Sequence, residues 1–226
     1  MIDNSRLKVY VAAELLRHRQ SLQEAKVKGS ILDSDTVVAL SQILVGCRLI
    51  LDRIMNTIWL NHADRHQLAG KPNIYFPCRD IETDFTKDLK RYQLTDLVFK
   101  SSRCYELLRS VQPFMGANNQ WLQELFTLTK DKHEFYIEII SSSQSQIQIG
   151  LGQTGTIKKL VIRNEGNIFA DANMRNSLSG QNESLRLKFC ERILHSLKKT
   201  NQDPLIFCEQ CIAHVDSIFQ SIFEAL

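Results

Sequence analysis

Apolar residues Leu7, Val11, Leu15 and Leu22 recur at helical spacing between about Asp3 and Lys28, with lysines and arginines on the other side. This predicts an amphipathic surface helix. Gly29 breaks the pattern, and Asp33, Ser34 or Asp35 can cap a new helix. That second helix is predicted from about Thr36 to Ala63, apolar on nearly every side and therefore the centre of a bundle. Gly70, Pro72 and Pro77 then forbid a continuous helix, so "DRHQLAGKPNIYFPCRDIETDF" reads as a long connection over the bundle surface, pinned by Tyr75 and Phe76. A third helix is expected from about Thr95 to Val111, stopped by Pro113. A fourth runs from about Asn118 to His133 and carries Trp121, Leu122, Leu125, Phe126 and Leu128.

From about Tyr136 the period changes to two. Ile147, Ile149 and Leu151 alternate with Gln146, Gln148 and Gly150, the mark of a half-buried strand, and "TIKKLVIRNEGNIFAD" reads as strand, turn and strand. Two helices are expected to close the chain, from about Asn182 to Lys199 and from about Pro204 to Glu224, the latter capped by Asp203. The resulting fold class is mainly α: a bundle of four to six helices with a small three-stranded antiparallel β-meander inserted before the last two helices. The segments fall at 1–135 for the bundle core, 136–175 for the meander and 182–226 for helices packing back, within one compact domain.

Composition narrows the classes. The 226 residues are 43% hydrophobic and 23% charged, an ordinary globular balance, and the net charge of +3 is too small to drive binding to nucleic acid or anionic membrane by itself. No apolar run is long enough to span a bilayer and no secretory signal opens the chain, so a cytoplasmic location is expected. The six cysteines sit mostly in apolar surroundings. The pair Cys208 and Cys211, with His214 on the same helical face, offers three ligands without a fourth, and His62 with His66 fits an exposed helix end. No metal and no cofactor are expected, and P-loop, dinucleotide, nucleophile-elbow and zinc-hydrolase signatures are missing from the sequence.

The candidate chemistry lies in "VGCRLILDRIMNTIWL". Arg48 and Asp52 occupy the stripe of the second helix that should face its neighbours. Charges there need partners, because an unpaired buried charge costs several kcal/mol, roughly. The expected counterpart is "TKDKHEF" at the end of the fourth helix, with Lys130, Asp131, Lys132 and His133. One reading is an ion network that ties two helices together, with Lys130, Asp131 and Lys132 available to a ligand or partner. The other makes His133 a general acid or base oriented by Asp52, with Arg48 or Lys132 holding an anion.

Arg48, Leu51 and Asp52 in "CRLILD", Phe76 and Pro77 in "YFPC", Gln112 and Pro113 in "VQPF", and Leu122, Leu125, Asp131, Lys132 and His133 in "WLQELFTLTKDKHEF" resemble a set of uncharacterised bacterial proteins with the pattern LRxxLD, FP, QP and DKH. The likeness covers about Leu44 to Tyr136 and implies a shared helical core with no assigned activity. More distantly the chain is similar to HEPN-type bundles, many of which are ribonucleases of toxin and phage-defence systems. Their Arg and His, four to six intervening residues apart, have no counterpart here, since no histidine has an arginine five to seven positions earlier.

These readings set up two functional expectations. The first is a non-catalytic binding or regulatory protein of bacterial origin, tied to phage defence or a mobile element, that contacts a protein partner or a second copy of itself, with Phe219, Ile222 and Phe223 as a dimer face and no membrane contact. The alternative is a metal-independent HEPN-like ribonuclease or phosphate-handling enzyme centred on Arg48, Asp52 and His133, for which nucleic acid is the partner.

Overall fold

A computed structural model describes residues 4–28, 33–63, 73–130, 139–149, 156–157, 174–175, 187–197, 200 and 202–225. Seven α-helices are found among them: α1 (Asn4–Lys28), α2 (Ser34–His62), α3 (Glu82–Arg91), α4 (Leu97–Lys100), α5 (Ser102–Ser110), α6 (Gln120–Leu128) and α7 (Pro204–Phe223). The chain divides into two compact units, one of Met1–Ser142 with Leu194–Leu226 and one of Ser143–Ile193.

The first unit is a helical bundle in which α1, α2 and α7 pack pairwise on one another, α6 lies on α2 and α7, and α5 lies on α7. α2 sits at the centre because its apolar residues fill more than one face: Leu40, Leu44, Cys47, Leu51 and Ile58 are all buried, as are Ile43, Ile50 and Ile54. It starts where the Asp33 carboxylate accepts from the Thr36 amide at 2.7 Å. In α1 the buried positions are Val11, Leu15, His18, Leu22 and Ala25, alternating steps of four and three residues along a single seam. α1 is tied to α7 on one flank by Arg19 to Asp216 at 2.5 Å and Lys26 to Glu209 at 2.8 Å. On its other flank the Arg53 guanidinium of α2 lies 3.9 Å above the Tyr10 ring. Where α1 crosses α2, the His18 ring rests on Gly46, so closely that a Cβ there would fall 2.1 Å from His18 Nε2. α7 begins as its sequence suggests, with Asp203 accepting from the amides of Leu205 and Ile206 ahead of a first-turn proline.

Several expectations are corrected. The expected third helix is broken into α4 and α5 at Ser101, whose backbone (φ −155°, ψ 82°) is not helical, and α3 occupies part of the stretch read as connection. The seven described helices therefore exceed the four to six expected. The three-stranded meander is not seen. The described residues from 33 to 130 hold no strand. Those beyond them, β1 (Ile139–Ile149), β2 (Thr156–Ile157), β3 (Met174–Arg175) and β4 (Leu187–Leu197), form two separate pairs, β1 with β4 and, antiparallel, β2 with β3. Alternation reveals a strand but not its partner, and β1 pairs with a segment far along the chain rather than with its neighbour. The helix expected from Asn182 to Lys199 is replaced by β4. "LKFCERILHSL" satisfies both periods, since Leu187, Phe189, Ile193 and Leu197 fit a step of two while Leu187, Cys190, Leu194 and Leu197 fit a helix. The expected dimer face fails as well, because Phe219 and Ile222 lie in the core at 1% exposure and Phe223 packs against it.

Candidate functional site

The polar residues singled out in α2 face an extended segment, residues 73–80, that crosses the bundle between α2 and α3. Ile74 and Phe76 are buried while Tyr75 between them is exposed, so these three residues alternate like a strand, although the segment belongs to neither of the described strand pairs. Buried backbone must still find partners. Side chains of three helical elements supply them. From α2, Asp52 Oδ1 accepts from the Phe76 amide at 2.9 Å, and Asn56 Nδ2 donates to the Ile74 carbonyl at 3.3 Å. From the end of α3, the Tyr92 hydroxyl accepts from the Tyr75 amide at 3.3 Å. Just beyond α5, the fully buried Gln112 donates to the Pro77 carbonyl at 3.0 Å and accepts from the Arg79 amide at 3.1 Å.

The clamp is closed by further contacts. Arg79 grips Asp88 of α3 with two hydrogen bonds, 2.7 and 3.1 Å, and Asp80 accepts from Gln123 of α6 at 2.9 Å. Gln112 is itself fixed, because its side chain donates to the Leu108 carbonyl and its own carbonyl accepts from Asn119. Asp52, the FP pair and Gln112 thus meet in space although 24 and 35 residues separate the paired positions in sequence.

Arg48 goes elsewhere. Its Nη1 donates to the carbonyls of Phe126 and Thr129, at 3.4 and 3.1 Å, and approaches Thr129 Oγ1 at 3.2 Å. Its guanidinium carbon stands 4.3 Å from the centre of the Phe126 ring. A guanidinium here satisfies carbonyls that α6 leaves unpaired at its C-terminus and complements the negative end of the helix dipole. Arg48 therefore reaches the tail of α6, as expected, but through backbone oxygens, whereas Asp52 turns to Phe76. Asp131, Lys132 and His133 lie outside the described residues. Lys130 is exposed at the rim of a groove of about 250 Å³ that it lines with Arg48, Cys78, Asp80, Gln123, Phe126 and Thr127.

The one thiol in this groove is held in its neutral form. Burial, reinforced by the charge of Asp80, pushes Cys78 up to about 12. Cys47, Cys208 and Cys211 are more deeply buried, and burial raises each thiol far enough to keep it protonated at neutral pH. His214, the third ligand of the sequence motif, stacks on Trp121 with ring centres 4.6 Å apart. Among the described residues no group of three or more His, Cys, Asp or Glu is arranged to hold a metal ion, and no helix is long and apolar enough to cross a membrane.

Sequence reasoning picks out Arg48 and Asp52 but misses Asn56, Tyr92 and Gln112 as anchors of the extended segment. A glutamine before proline in an apolar stretch is the available signal for Gln112, and Asn56 and Tyr92 have none. The architecture defines a helical bundle with an extended strap clamped by side chains against its central helix. No known protein family matches the chain, and no curated protein or solved structure is significantly similar to it.

Proposed function

We propose that this chain is a non-catalytic binding protein, in which Arg48 and Asp52 secure the framework and the surface engages another protein. The observation that carries this reading is the use of the Arg48 guanidinium on the terminal carbonyls of α6. An arginine held at a helix end and over the Phe126 ring serves the framework, its charge answered in part by the negative end of the α6 dipole. The neutral Cys78 thiol beside it supports the same reading, since a thiol with its ionisation raised to about 12 supplies no nucleophile at neutral pH.

The test is direct. Purified protein is incubated with single-stranded and structured RNA and with an activated phosphodiester, next to His133→Ala and Arg48→Ala. No cleavage by any of the three is expected. Turnover that His133→Ala abolishes while the fold is retained would refute the reading and restore the ribonuclease alternative.

A further inference from the structure

The seam by which α1 packs into the bundle has a counterpart on the opposite side of the same helix. Val9, Ala13, Leu16, Gln20, Gln23 and Val27 succeed one another in alternating steps of four and three residues, the spacing of a coiled-coil seam. All six are exposed, Val9 at 70%, Leu16 at 56% and Val27 at 77%. The outermost line of a surface helix is where charge is ordinarily densest. Here it carries none from Val9 to Val27, about 27 Å of helix, and the lysines and arginines expected on that side stand on its two flanks instead. Those flanks are anchored, by Tyr10 under Arg53 on one side and by Arg19 and Lys26 to α7 on the other, so the uncharged line faces outward from a fixed helix.

We propose that this line is a self-association seam, along which α1 of two copies pairs in parallel. The inference rests on the binding reading above and names its partner as a second copy of the chain. Three features select that occupant. In the coiled-coil register the seam has Leu16 at the position where leucine favours parallel dimers and Val27 at the position where a β-branched residue does so. Gln20 falls at a core position where a polar side chain fixes register, its amide meeting the amide of its twin. In the same register Arg19 of each copy lies beside Glu24 of the other, an opposite-charge pair on both sides of the seam, whereas the antiparallel arrangement sets Arg17 against Arg17 and Arg19 against Arg19. Arg19 already donates to Asp216 through one nitrogen, and a guanidinium has further donors for Glu24 of the second copy.

Sedimentation equilibrium of the full chain, carried to about 100 µM, reads the association. The wild type is expected to dimerise with rising concentration. Leu16→Glu, which places two carboxylates face to face in the seam, is expected to be monomeric over the same range with an unchanged thermal melt, because the position is exposed in the single chain. Glu24→Arg is expected to weaken the dimer roughly tenfold. Under oxidation Val9→Cys is expected to cross-link with itself. Cross-linking only in a mixture of Val9→Cys and Val27→Cys would overturn the parallel register. A monomeric wild type, or a dimer untouched by Leu16→Glu, would overturn the seam altogether while leaving the binding reading to the RNA cleavage test.

Discussion

The carboxylate of Asp52 is the sharpest point at which to probe the clamp, because its role as an acceptor separates from its charge. Asp52 is 8% exposed and Phe76, whose amide it accepts, is 2% exposed, so water cannot replace the bond. Asp52→Ala removes a hydrogen bond to a charged acceptor and strands a buried N–H, and is expected to cost about 2 to 3 kcal/mol. Asp52→Asn keeps an oxygen in place and loses only the charge, so it should cost about 1 kcal/mol. For a unit of this size the alanine loss corresponds to a fall of roughly 5 to 10 °C in Tm. Equilibrium urea unfolding is a suitable assay, since both tryptophans, Trp59 and Trp121, are buried in the helical unit and report its unfolding. Amide exchange at Phe76 gives a local readout and should quicken in Asp52→Ala more than in Asp52→Asn. If asparagine proved as damaging as alanine, the charge would matter more than the acceptor and the carboxylate would be serving something other than the strap. If alanine cost under about 0.5 kcal/mol, the clamp itself would be refuted.

Gly46→Ala forces a methyl group onto the His18 ring and should destabilise by about 1 to 2 kcal/mol net of the gain in helix propensity, a loss that His18→Ala relieves in the double variant. If the double variant were no better than the single, the contact would not be the cause. His18 is held neutral by burial, with the nearby Arg17 charge acting in the same direction, and its ionisation is lowered from 6.5 to about 4. The unfolded chain therefore takes up a proton below pH 6.5 that the folded chain refuses until about pH 4. Stability from this group is complete above pH 6.5 and falls with acid, so urea midpoints should show the wild type losing about 3 kcal/mol more than His18→Gln between pH 7 and pH 4. Arg48→Ala should cost about 1 to 3 kcal/mol, and Arg48→Lys should recover only part, because an ammonium can donate to the carbonyls but has no planar group to set over the Phe126 ring. Full recovery by lysine in thermal melts would contradict the geometry.

The parts of the fold legible in the sequence are those in which one signal decides. α7 has a proline in its first turn and Asp203 before it, and α2 has Asp33 before a long apolar run, so their starts are set by local chemistry. The stretch around β4 misleads because its apolar residues fit two periods at once, and only pairing with β1 resolves them. At the candidate site, periodicity shows that Arg48 and Asp52 face inward but cannot show what they meet. The pattern sends Asp52 to the tail of α6, whereas it holds Phe76, because an extended segment packed among helices has backbone needs that no hydrophobic pattern records. Asp52 of "CRLILD" and Gln112 of "VQPF" are two ends of one clamp, and the segment carrying Phe76 and Pro77 is what they hold.

Five hydrogen bonds hold residues 73–80 by main-chain atoms, and those bonds depend on the spacing of the backbone rather than on the side chains it carries. An insertion or deletion of a single residue would throw every hook out of step, whichever side chains the segment carries. Descendants of this chain should therefore keep the length of the strap even where its residues change.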